Sequence, residues 1–166
     1  MKEVSKKIVM VGDFGVGKTS LIRRYIDNTF SDEYLVTIGV KISRKHIEVP
    51  SRSCRAQLLL WDIEGRTDIK SLIDRYLVGA AGMIVVGDLT RPKTLESIQE
   101  HIERIDRLAP DAKVVVAFNK SDLCDPLPEL ERYVPKERVL TALPTSAKSG
   151  QNVENLFAVL AEAMCR

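Results

Sequence analysis

The sequence predicts an α/β fold: a mostly parallel, doubly wound six-stranded sheet with one antiparallel hairpin and helices on both faces. Two observations carry this. Short apolar runs alternate along the chain with segments of helical periodicity, and a glycine-rich stretch, Gly12-Asp13-Phe14-Gly15-Val16-Gly17-Lys18-Thr19, sits between the first apolar run and the first helical one.

The elements follow in order. Residues 8–11 (IVMV) read as a buried strand, and residues 18–28 as a helix in which Leu21, Ile22, Tyr25 and Ile26 recur at helical spacing. Residues 40–49 and 55–61 read as two strands joined around Pro50-Ser51-Arg52-Ser53, where proline and small polar residues favour a turn, so a hairpin is expected. Further strands are expected at 83–86, 114–118 and 139–141, and helices at 69–77, 94–108 and 152–164. The predicted order is β-α-β-β-α-β-α-β-α-β-α, with a helix between every later pair of strands. In such a sheet ligands sit at the carboxyl ends of the strands. No repeat or low-complexity linker interrupts the order. Asp125-Pro126-Leu127-Pro128 reads as a loop, so one domain over residues 1–166 is expected.

With 166 residues, 45% of them hydrophobic and 29% charged, the chain can bury a sizeable core. Its 25 basic and 23 acidic residues nearly cancel, leaving a net charge of +2, which argues against a nucleic-acid partner or strong membrane attraction. Lys2, Lys6 and Lys7 read as a solvated entrance to the first strand. Cys54, Cys124 and Cys165 are odd in number and widely spaced, which favours a reducing, cytoplasmic setting over a disulfide framework. No run is long enough to span a bilayer. Because only Arg166 follows Cys165, there is no C-a-a-X box, and any lipidated tail supporting peripheral membrane association is expected outside this chain.

The glycine-rich stretch fits GxxxxGK(S/T). Its glycines let the backbone curl with N–H groups inward, a concave site for the α- and β-phosphates of a nucleotide. Lys18 can reach the β- and γ-phosphates, and Thr19 can join a Mg2+ that bridges them. A phosphate loop does not identify the base; two later loops do. After the strand at 114–118 comes Asn119-Lys120-Ser121-Asp122, and after the last strand comes Thr145-Ser146-Ala147-Lys148. A carboxylate at Asp122 can accept from guanine N1–H and N2–H2, whereas adenine presents a different edge. Asn119 can bind the neighbouring edge or tie loops together. The Lys120 stem can cover one ring face and Lys148 the other, and the Ala147 N–H can meet O6.

The ordered set GDFGVGKT, the threonine in YLVTIGV, WDIEG, NKSD and TSAK resembles the Ras superfamily of small GTPases over essentially the whole chain. TIGV and the Trp61-Asp62 pair look most like its Rab branch. The resemblance implies a P-loop NTPase G domain that binds GTP or GDP with Mg2+ and switches between two states. The nucleotide contacts it implies are Asp13, Phe14, Gly15, Val16, Gly17, Lys18, Thr19, Ser20, Phe30, Tyr34, Thr37, Gly65, Asn119, Lys120, Asp122, Ser146, Ala147 and Lys148. Phe30 matches the aromatic packed on guanine and Tyr34 the tyrosine that closes over the phosphates, although both also read as ordinary loop aromatics. Mg2+ would be held by Thr19, Thr37 and, through water, Asp62. Lys18, Thr37, Gly65 and Arg66 are the residues implied at the hydrolytic centre. Protein effectors and regulators would read switch I, from Asp32 to Val40, and switch II, after Gly65.

Three departures fall on the γ-phosphate side. Where the family has DTAGQ this chain has Asp62-Ile63-Glu64-Gly65-Arg66, so an arginine replaces the glutamine that orients the attacking water. A guanidinium has donors only and cannot accept a proton from water. Slow intrinsic hydrolysis is therefore expected. Arg66 reads either as an exposed switch arginine, the preferred reading, or as a built-in arginine finger. Glu64 reads as a partner for Arg66 or as a solvated carboxylate. Phe14 stands where the family has a small residue, and either blocks an incoming arginine finger or lies harmlessly outside the loop. Three functions remain: a slow GTPase switch, a hydrolysis-deficient GTP-binding module that recruits effectors, and a scaffold that needs nucleotide only to fold.

Overall fold

The computed structural model describes residues 1–31, 39–63 and 70–166. β1 (Lys2–Gly12) lies in the middle of the sheet. Along it Ile8 and Met10 face one core and Val9 and Val11 the other, so the strand reads as a continuous apolar run. It leads into α1 (Lys18–Asp27), which buries Leu21, Ile22 and Tyr25 and ends where Asn28 turns left-handed, at φ 52°, with its N–H donating to Arg24 O.

β2 (Val40–Val49) pairs antiparallel with β3 (Cys54–Ile63) from Val40↔Ile63 to Val49↔Cys54, closed by a single 3-10 turn at Pro50–Arg52. Then come α2 (Lys70–Leu77), β4 (Gly82–Asp88), α3 (Pro92–Leu108), β5 (Lys113–Asn119), β6 (Thr141–Pro144) and α4 (Val153–Met164). The strands lie in the order β2-β3-β1-β4-β5-β6, all parallel but β2.

One core lies under α1 and α4, where Tyr25 stacks on Phe157 with centroids 3.8 Å apart. The other lies under α2 and α3, where Leu95, Ile98, Ile102 and Ile105 meet Val85, Val114 and Val116. Each such side chain withdrawn from water is worth about 1.5–3 kcal/mol. Trp61 packs at the sheet surface, with Lys7 Nζ 4.1 Å from its ring centroid and Tyr76 tilted beside it.

Three expectations are corrected. The alternation anticipates a helix between β5 and β6. The described chain there instead holds two single 3-10 turns, Ser121–Leu123 and Glu131–Tyr133, because Pro126, Pro128 and Pro135 remove the donors a helix needs. The last strand is not at 139–141 but at Thr141–Pro144; Leu140 is 44% exposed, and pairing with β5 runs from Val115↔Thr141 to Phe118↔Pro144. The basic amino end is no mere lead-in: Lys2 to Lys7 pair with Cys54 to Leu59, and a polar sequence hides a ladder made by backbone groups. Cys54 and Cys165, distant in sequence, lie with their Sγ atoms 2.9 Å apart as buried free thiols. Burial and the neighbouring thiol push Cys165 up to about 11. Among the described residues, no helix is long and apolar enough to cross a membrane.

Candidate functional site

The sheet registers bring the carboxyl ends of five strands to one rim. Met10 lies beside Asp62, Gly12 beside Val86, Asp88 beside Asn119, and Phe118 beside Pro144. The loop after β1 therefore meets the loops after β4, β5 and β6.

Residues 13–17 connect β1 to α1, with Gly15 at φ 75° and Gly17 at φ 104°. Gly17 is the N-cap of α1, and the first N–H groups of a helix, here from Lys18 onward, point out of its amino end. With the positive end of the helix they form a cradle for an anion. No side chain fits at Gly17, where a Cβ would lie 2.2 Å from Asn119 Nδ2. Lys18 arches back over the loop, its Nζ donating to Gly12 O at 2.7 Å and more weakly to Asp13 O at 3.5 Å. Burial pushes this ammonium down to about 8, against the upward pull of Asp62 and Asp13.

The loop is gripped from outside by the residues after β5. Asn119, 2% exposed, donates from Nδ2 to Val16 O at 3.0 Å and accepts from Thr145 Oγ1 at 3.2 Å. Lys120, in the left-handed conformation at φ 65°, donates to Gly15 O at 3.1 Å. Asp122 follows on the 3-10 turn, and Ser146 Oγ donates to its Oδ1 at 2.7 Å while accepting from Ser149 N–H. The loop after β6 is held by two backbone bonds, Thr145 N–H to Phe118 O at 2.8 Å and Ser121 N–H to Thr145 O at 2.9 Å. Ala147 is 4% exposed, and its carbonyl and that of Lys148 accept from Arg24 at 2.7 and 2.6 Å. Phosphate-loop and base-loop candidates from distant parts of the sequence thus share one network. Phe30 lies beyond the end of α1 and is 37% exposed.

Thr19 Oγ1 donates to Asp62 Oδ2 at 2.5 Å, and Asp62 is 2% exposed. A hydroxyl and a carboxylate side by side are hard oxygen donors. They suit Mg2+, which takes one or two carboxylates together with substrate phosphates rather than a dedicated cage. No group of three His, Cys, Asp or Glu side chains that could hold a metal occurs among the described residues. Tyr34, Thr37, Glu64, Gly65 and Arg66 lie outside the described residues, as does switch I from Asp32 to Ile38.

Sequence reasoning missed four residues at this rim. The first is Asp88, at the end of β4, which belongs to none of the motifs. Yet the Asp88 side chain, wholly buried, pairs with Lys120 at 2.8 Å and with Arg91 at 3.0 Å. Burial works to raise its pKa, but hydrogen bonds from Lys120, Thr90 and Arg91 hold the carboxyl below its ordinary value. Arg91 also donates to Phe14 O at 2.7 Å. His101, on α3, lies 3.0 Å from Asp13 Oδ1. Burial works to raise Asp13, and the bonds from His101 and Ser97 outweigh it, so this carboxyl too is held low. Arg24 is the fourth. Each looks like an ordinary polar residue on a helix or turn, and no local pattern marks it.

The sequence profile of the Ras family matches residues 7–166. The chain is similar to Ras-related protein Rab-1 of Theileria annulata, 33% identical over 164 residues that cover 95% of this chain and 73% of that protein. It is similar to Ras-related protein RabC of Dictyostelium discoideum, 32% identical over 165 residues, covering 97% and 84% of the two chains. Ras-related protein Rab-1A of the same organism is 33% identical over 159 residues, covering 93% and 78%.

Proposed function

Because the chain belongs to the Ras family and is Rab-like, a GTP-binding molecular switch, we propose that it holds Mg2+ with its nucleotide and hydrolyses GTP slowly, releasing GDP and phosphate. The observation that carries the reading is the joining of the phosphate loop to the NKxD loop through Asn119 and Lys120. Base and phosphates of one nucleotide would then be sensed by a single rigid unit.

In this reading the N–H groups of residues 15–20 and the Lys18 ammonium take the α-, β- and γ-phosphates, and a polyanion bound there favours the charged form of Lys18 that burial disfavours. Asp122, oriented by Ser146, accepts from guanine N1–H and N2–H2. The Ala147 N–H meets O6, and Lys120, Lys148 and Phe30 cover the ring. Thr19, Thr37 and, through water, Asp62 would hold Mg2+, which when bound neutralises charge on the β- and γ-phosphates. Thr37 and Gly65 meet the γ-phosphate, so its loss releases switch I and switch II, and protein effectors read the difference.

Hydrolysis is slow in this account because Arg66 offers no acceptor to the attacking water. Single-turnover hydrolysis of preloaded GTP tests this against Arg66→Gln. The glutamine variant is expected to be faster by about tenfold or more, equivalent to about 1.4 kcal/mol or more off the barrier. A native chain faster than Arg66→Gln would instead make Arg66 a built-in arginine finger. No turnover by either protein would favour the effector-recruiting, hydrolysis-deficient module.

A further inference from the structure

Asp88 has no side-chain surface, yet it holds two cations, and each donates to a successive carbonyl of the phosphate loop. Lys120 Nζ pairs with Asp88 Oδ2 at 2.8 Å and donates to Gly15 O at 3.1 Å. Arg91 Nε donates to the same Oδ2 at 3.0 Å, while its Nη2 donates to Phe14 O at 2.7 Å. The acid is fixed in turn: its Oδ1 accepts from Thr90 N–H at 2.8 Å and Thr90 Oγ1 at 2.6 Å, and its own N–H donates to Thr94 Oγ1 at 2.8 Å.

Peptide geometry converts these outer contacts into inner ones. A trans peptide is planar, so the carbonyl of one residue and the N–H of the next point in opposite directions. A bond that holds Phe14 O outward therefore aims the Gly15 N–H inward. Lys120 does the same for the Val16 N–H through Gly15 O, and Asn119 for the Gly17 N–H through Val16 O. Arg91 completes a run of three peptide planes oriented from outside the loop. The Lys120 and Asn119 grips belong to residues that also serve the base, whereas Arg91 comes from the turn after β4.

We propose that Arg91 is a positioning residue for the nucleotide phosphates, anchored by buried Asp88 and aiming the Gly15 N–H into the phosphate site through Phe14 O. The proposal rests on the guanine-nucleotide reading above. Asp88 becomes the shared anchor through which the phosphate and base loops are held in one register.

The test is release of a fluorescent GDP from the full chain in Mg2+, with 31P spectra of bound GDP. Arg91→Ala is expected to release GDP about tenfold faster and to shift the β-phosphate resonance, because it removes the charge-assisted hydrogen bond that orients Phe14 O. Arg91→Lys, which keeps the charge on a single nitrogen and loses the fork that reaches Asp88 and Phe14 O at once, is expected to recover part of the loss. Lys93→Ala removes a charge from the exposed start of α3, away from the loop, and is expected to release GDP at the native rate. Arg91→Gln, which keeps most of the stem, carries the same expectation of faster release should the alanine variant fold poorly. Native release rates in both Arg91→Ala and Arg91→Gln, or equal acceleration in Lys93→Ala, would overturn the proposal and leave the nucleotide reading standing. A native chain that holds no guanine nucleotide would overturn both.

Discussion

Asp122→Asn is expected to weaken GDP and GTP binding about a thousandfold and to admit xanthine nucleotides in their place. The carboxylate is an acceptor at both oxygens, and Ser146 Oγ, 2.7 Å from Oδ1, fixes its plane. Guanine presents two adjacent donors, N1–H and N2–H2, and a charged acceptor makes each bond worth about 1.5–3 kcal/mol, or roughly 4 kcal/mol for the pair. That is about three decades in affinity. An asparagine keeps one acceptor and puts an NH2 where guanine also has a donor, leaving two donors opposed. Xanthine carries an oxygen in place of N2–H2, so the same amide finds a partner. Competition between GDP and XDP for the variant measures the change. Unaltered preference for GDP would mean that Asp122 does not read the base.

The second large effect is expected from Gly17→Ala, which should lower nucleotide affinity about a hundredfold and the thermal midpoint by several degrees. Two costs combine. A Cβ at φ 104° is strained by about 1–3 kcal/mol, and this Cβ would also lie 2.2 Å from Asn119 Nδ2. Asn119 has little room to yield: it is buried, bonded to Val16 O and to Thr145, and moving it strands those groups at about 1–3 kcal/mol. The variant therefore attacks the phosphate cradle and the base loop through one atom. Gly79→Ala separates strain from collision, since Gly79 at φ 79° has nothing within 4 Å of its would-be Cβ. It is expected to lower the thermal midpoint and leave nucleotide affinity intact. Titration with a fluorescent GDP and thermal unfolding check both variants, and native affinity in Gly17→Ala would refute the shared-unit description of the two loops.

What could be read before folding was what local sequence dictates. The strand, glycine loop and helix around Gly12–Thr19 appear where the pattern puts them because the loop's conformation is set by its own residues. The NKSD and TSAK loops follow strands for the same reason, and the family assigned from these motifs is the one the profile and the Rab relatives give. What was hidden depends on distance along the chain. Arg24 reaches Ala147 across 123 residues, Arg91 reaches Phe14 across 77, and His101 reaches Asp13 across 88. No periodicity encodes such pairings. The helix expected before β6 was a rule of alternation overridden by three prolines, and the polar half of β1 is strand because β3 supplies its hydrogen-bonding partners. Asp88 shows the same limit at the site, since its neighbours in sequence describe a turn while its neighbours in space are two cations that grip the phosphate loop.

The central claim, that this rim holds guanine nucleotide, is tested most directly by denaturing the purified protein and identifying by chromatography what it releases. The account predicts GTP or GDP in an amount equimolar with the chain. Release of an adenine nucleotide, or of no nucleotide from a chain that then fails to take up GDP in Mg2+, would contradict it.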